Sequence, residues 1–167
     1  MKALWIVPAA VLAVLGFPPG PGKLEARLRP LTVSCLVYGA RQLEVPQGLI
    51  LLVLAAEGGQ VGQVSHNPGG SYDLGPMQIN SWWLPLLKQG GITAEEIRDN
   101  GCTNVLVGTW ILKLQLRQAK NVWQALAWYH SRQPRLGEAY VRGVLKTAKS
   151  FDLRKVLGRA NRKVPVQ

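Results

Sequence analysis

Leu49-Ile50-Leu51-Leu52-Val53-Leu54-Ala55-Ala56-Glu57-Gly58-Gly59 is apolar for eight residues, then ends on a carboxylic acid and two glycines. The run is apolar nearly all round, which predicts a central, buried helix. Pro46 suits the first turn of that helix, where a missing N–H costs nothing. Gly58 and Gly59 supply the stop. Glu57 is an exception to its surroundings, since only 9 acidic residues stand against 20 Lys and Arg in the whole chain. Apolar neighbours disfavour the ionised form of a carboxylic acid and raise its pKa. The partial negative charge at a helix C-terminus pushes the same way. A carboxyl held protonated near neutral pH is what a general acid requires. The plain structural alternative is a Glu that ends its helix with its side chain in water.

Working outward, the segment 60–80 is rich in Gly, Asn and Ser and has little helical periodicity. It reads as a long loop with room for a small β-hairpin, and a long loop inside a compact domain is more often functional than not. It contains Ser71-Tyr72-Asp73-Leu74-Gly75-Pro76-Met77-Gln78-Ile79-Asn80. Gly75 permits an unusual backbone angle or close approach to a ligand. Gln78 and Asn80 can each donate and accept hydrogen bonds. The alternative is an ordinary turn leading into a helix. On either side helices are expected: a short one over 35–43, another starting at Ser81-Trp82-Trp83-Leu84, then 104–120, 122–130 and 137–150. Thr93 and Glu96 have the spacing of a capping box. The basic stretch 154–163 reads as a frayed helix or a disordered end. No internal repeat and no second domain are visible, so the fold class is mostly α, built around one buried helix.

A chain of 167 residues with net charge +11 is one domain of ordinary size. The charge points to an anionic partner, either nucleic acid, an acidic membrane surface or an acidic polymer, or else to a merely well-solvated surface. Lys2 followed by the uncharged apolar run 3–17 and Pro18-Pro19-Gly20-Pro21-Gly22 reads as an export signal, with cleavage placed near Leu24-Glu25-Ala26. An uncleaved anchor is the alternative. The expected division is a signal peptide at 1–26, a domain at 27–152 and a basic tail at 153–167. No later segment is long and apolar enough to span a membrane. Two cysteines, Cys35 and Cys102, in an exported chain suggest one disulfide, against the alternative of two buried thiols. Two Cys and two His at these spacings match no usual metal-ligand set. Trp82 and Trp83, directly after the polar loop, are the tryptophans expected to face a ligand, and the rest are expected in the core. Tyr129 and His130 end the 122–130 helix, where the His is either a base or ligand, or a capping residue. His66 is equally ambiguous. No Ser-His-Asp order appears.

Taken together these pieces resemble the lytic transglycosylases of the goose-lysozyme-like class, in the small exported branch that serves secretion and conjugation machines. The residues that carry the resemblance are Cys35, Glu57-Gly58-Gly59, the run from Ser71 to Trp83, Cys102-Thr103-Asn104, Gly108-Thr109-Trp110-Ile111-Leu112 and Tyr129-His130. Their order and spacing cover roughly 35–144. The resemblance implies a lysozyme-like fold, a periplasmic location and no cofactor. It implies peptidoglycan glycan strands as substrate, with components of a secretion or conjugation machine as partners. It makes Glu57 the catalytic acid, and Gly58, Ser71, Gly75, Met77, Gln78, Ile79, Asn80, Trp82, Tyr129 and His130 the residues that hold substrate. Asp73 is expected to tie down the loop through backbone N–H groups.

Two departures stand out. Gly58 replaces the Ser that usually follows the acid, and Pro76 replaces the usual Leu, which deletes one N–H. The implied reaction breaks the β-1,4 link from N-acetylmuramic acid to N-acetylglucosamine and closes a 1,6-anhydro ring. A hydrolytic muramidase and a wall-binding assembly protein without activity are the competing readings. A nucleic-acid binder is suggested by charge alone, with no binding motif in support.

Overall fold

The computed structural model describes residues 28–162; the expected signal at 1–26 and the last part of the basic stretch lie outside the described residues. Helix α1 spans Val33–Leu43 and α2 spans Gln47–Glu57. α1 starts two residues earlier than expected because the Thr32 side chain caps it, accepting from the Cys35 N–H. Pro46 occupies the N-cap of α2 rather than its first turn. Ile50, Val53, Leu54 and Ala55 of α2 are buried, and Leu49, Leu51, Leu52 and Ala56 pack half-buried against the same core. α2 is thus the central helix that its uniform apolarity predicts, with helical neighbours on several sides.

The segment after α2 is more ordered than a loop with one hairpin. β1 (Val64–His66), β2 (Tyr72–Leu74) and β3 (Ile79–Asn80) form an antiparallel sheet in the order β1-β2-β3. Ser65 pairs with Asp73, and Leu74 with Ile79. Strands of two or three residues are too short for a period-2 pattern to register in the sequence. Only Leu74 and Ile79 among them turn fully into the core.

A 3-10 turn at Ser81–Trp83 leads into α3 (Leu84–Gln89), and α4 (Ala94–Asp99) carries the expected Thr93–Glu96 capping box. α5 spans Gly101–Gln118, beginning before the expected 104 because Asn100 caps it by accepting from the Cys102 and Thr103 N–H groups. α6 is Val122–His130, as expected. α7 is Pro134–Lys149, begun three residues early by a proline in the first turn.

The basic stretch is not a frayed end. α8 (Leu153–Ala160) is capped by Asp152 and buries Val156 and Ala160. Its two buried positions lie four apart on one face, a stripe masked in the sequence by the surrounding Lys and Arg. Cys35 and Cys102 form the expected disulfide, tying α1 to the start of α5 with Cα atoms 5.2 Å apart. The tryptophans differ from expectation, since of those at 82, 83, 110, 123 and 128 only Trp110 is buried. Among the described residues no helix is long and apolar enough to cross a membrane.

Candidate active site

α2 ends at the edge of a cleft of about 620 Å³, and Glu57 stands in its wall. The helix terminates there because Gly58 adopts φ +66°, a left-handed cap that returns its N–H to the Leu54 carbonyl. The Glu57 carboxyl is mostly enclosed, though it keeps a face to the cleft. Burial pushes its pKa up to about 7. The Tyr140 hydroxyl nearby partly offsets that rise, and the negative charge of Asp73 adds to it. Tyr140 Oη is itself buried and has no aligned hydrogen-bond partner. Burial and the charge of Glu57 hold the phenols of Tyr129 and Tyr140 above the usual tyrosine range, so both stay protonated near neutral pH. Glu57 is therefore partly protonated near neutral pH, set among phenols that keep their protons there.

The sheet supplies the facing wall. Asp73, Gln78, Ile79, Asn80 and Trp82 line the cleft with Glu57, Tyr129 and His130. Asp73 accepts from the side-chain amides of Asn67 at 2.9 Å and Asn80 at 2.7 Å. It therefore braces β2 against β3 through side chains, not through the backbone N–H groups expected. Gln78 sits at φ +47°, a left-handed conformation that is uncommon for a side-chain-bearing residue. Its amide donates to the Gly75 carbonyl at 2.8 Å, which anchors the turn. Trp82 lines the cleft and is 81% exposed. Trp83 lines the cleft too, but leans edge-on against Trp110.

Four residues expected to hold substrate are absent from the cleft lining, and two of them, Gly75 and Met77, are buried while Ser71 and Gly58 are half-buried. Met77 is fully buried, and its carbonyl accepts from Tyr129 Oη at 3.0 Å. Gly75 has φ +67°, and a Cβ there would run into the Asn104 amide. Ser71 Oγ accepts from the Asn67 and Asn80 amides at 3.2 and 3.3 Å. Gly58 faces the Arg159 guanidinium. His130 stacks flat on Tyr140 with ring centres 4.8 Å apart, and His66 lies exposed on β1.

Several site residues left no sequence signal. Tyr140 reaches Glu57 from α7, and Arg132 stacks over Trp128 at 3.9 Å while bonding the Gln115 and Gln118 side chains at 2.8 Å. Asn104 was visible only as part of a motif. It is buried and holds the loop by three bonds: from the Met77 N–H at 2.7 Å, and to the Leu74 and Ile97 carbonyls at 2.8 and 3.0 Å. Among the described residues no cluster of His, Cys, Asp and Glu could hold a metal ion.

The family model described as Transglycosylase SLT domain matches residues 34–155. Invasion protein IagB of Salmonella typhimurium (strain SL1344) is 30% identical over 99 residues, covering 59% of this chain and 62% of its own. The same-named protein of Salmonella typhi is also 30% identical over 99 residues. A peptidoglycan-binding-like protein of Escherichia coli O157:H7 is 40% identical over 63 residues, covering 36% of this chain and 38% of its own. The chain spans about three-fifths of the length of the IagB relatives it matches.

Proposed function

Because the chain belongs to the transglycosylase SLT domain family, we propose that it is a lytic transglycosylase that cleaves peptidoglycan glycan strands with Glu57 as its acid. The observation that carries this reading is a carboxyl with a pKa of about 7 in the wall of an open cleft. Protonated Glu57 gives its proton to the glycosidic oxygen as the bond from C1 of N-acetylmuramic acid to that oxygen breaks. The 2-acetamido group of the same sugar stabilises the cation that develops, one of the substrate-assisted exceptions to the two-carboxylate scheme. The glutamate, now ionised, takes the proton from the 6-hydroxyl, which bonds to C1 and closes the 1,6-anhydro ring. No water is consumed, and the carboxyl ends as it began. Gln78, Asn80, Trp82, Tyr129 and His130 are assigned to hold the sugars, the amides by hydrogen bonds and Trp82 by stacking on an apolar ring face.

The disulfide supports a location in an oxidising compartment such as the periplasm. The likeness to proteins named for invasion supports local wall opening during assembly of a secretion or conjugation apparatus. Hydrolysis is the second reading, and one observation favours it: Asp73 shares the cleft with Glu57 and could hold a water there. Mass spectrometry of soluble products from purified peptidoglycan tests both readings. Anhydromuropeptides are expected from the native chain and none from Glu57→Gln. Reducing-end products would replace the first reading by the second, and wall binding without products would leave only an assembly role.

A further inference from the structure

α8 ends against the C-terminus of α2. Arg159 Nη2 donates to the Ala55 carbonyl at 2.8 Å. That carbonyl is among the last-turn acceptors that a helix leaves without internal partners. A Cβ on Gly58 would stand 3.3 Å from Arg159 Cζ and Nη1, so the guanidinium lies over the residue that follows the acid. The departure at Gly58 therefore has a counterpart in the fold: where a side chain is missing after the acid, an arginine from the far end of the chain covers the backbone.

The arginine is itself held in place. Val156 and Ala160 of the same helix are buried. The Val61 N–H donates to the Ala160 carbonyl at 2.8 Å. Asn161 bonds both the N–H and the carbonyl of Leu31, at 2.7 and 2.8 Å. Among the described residues Arg159 forms no ion pair, which leaves its charge to the negative end of the α2 dipole.

We propose that Arg159 is a positioning residue for Glu57, with α8 serving as a clasp on the last turn of the catalytic helix. The guanidinium fixes the Ala55 carbonyl and the Gly58 cap on either side of the acid, and so sets where the carboxyl stands relative to Tyr140 and the cleft. It touches no substrate. The inference rests on the reading of Glu57 as the acid, and anhydro-product formation by the native chain but not by Glu57→Gln tests that reading separately.

The experiment measures product release from soluble glycan strands by the native chain, Arg159→Ala, Arg159→Lys and Arg159→Met, with a thermal melt of each. A displaced acid lowers kcat and leaves substrate contacts alone, so Arg159→Ala is expected to lose about tenfold or more in kcat with KM within about twofold. Arg159→Lys, which can still reach the carbonyl with a cation, is expected to recover most of that loss. If Arg159→Ala does not melt cooperatively, Arg159→Met takes its place, because it keeps the packing over Gly58 and removes only the donor. A kcat within about twofold of native, a loss that follows the folded fraction, or a lysine variant no better than alanine would each overturn the proposal.

Discussion

A carboxyl with a pKa near 7 makes a prediction about rate and another about stability, with the same sign. On the proposed mechanism Glu57 must be protonated in the free chain, so kcat/KM is expected to fall as pH rises through about 7, which a pH–rate profile checks. The folded pKa is raised above the ordinary 4.5, so between 4.5 and about 7 the folded chain binds more protons than the unfolded one. Stability from this group is present at low pH and is lost as pH rises across that window. Glu57→Gln removes the cost of ionising a buried acid. The variant is expected to be more stable than the native chain at pH 8, by on the order of 2 kcal/mol, and to lose that advantage at pH 5. Denaturant unfolding of both chains at the two pH values measures it.

At the scale of elements, the cleft depends on how the sheet is fastened to α5. Asn104 accepts from the Met77 N–H and donates to the Leu74 and Ile97 carbonyls, all within the interior. Buried polar groups left unpaired cost about 1–3 kcal/mol each, and more than one would be stranded at once. Asn104→Ala is therefore expected to destabilise the chain by about 3 kcal/mol or more in a urea titration. Activity should fall even under conditions where the variant stays folded, because Met77 also receives the Tyr129 hydroxyl. Asn104→Asp is expected to do little better, since an aspartate cannot donate to the two carbonyls.

For the whole molecule, two long-range ties hold the chain around α2. The disulfide joins residues separated by 67 positions. Opening a loop of that length by Cys35→Ser with Cys102→Ser is expected to cost about 4 kcal/mol, read as a lower midpoint in denaturant and reproduced by adding a reductant to the native chain. The second tie is α8, which brings the end of the described chain onto Leu31, Ala55 and Val61. The net charge of +11 acts at a longer range. Attraction to wall carboxylates should raise the encounter rate at low salt and fade as the Debye length shortens. A wall-binding time course at two ionic strengths is expected to show slower association in the higher salt.

Glu57 and its helix were legible in the sequence because their signals are local. An eight-residue apolar run, a glycine cap and an acid out of keeping with its neighbours all lie within one stretch. The boundaries of α6 and the Thr93–Glu96 cap were legible for the same reason. The pairing of Cys35 with Cys102 followed from their number. Tertiary structure alone decided the rest. It drew the 60–80 segment into three short strands, because Leu74 and Ile79 pair across the sheet and share the core. It buried Met77 and Gly75 away from the cleft lining, and it folded a basic stretch into α8. It also brought Tyr140 to the acid and Arg159 to the end of its helix from 83 and 102 positions away along the chain, and Asn104 to Met77 from 27. Such contacts leave no periodic trace, because each rests on a single side chain whose partner is chosen only when the core closes.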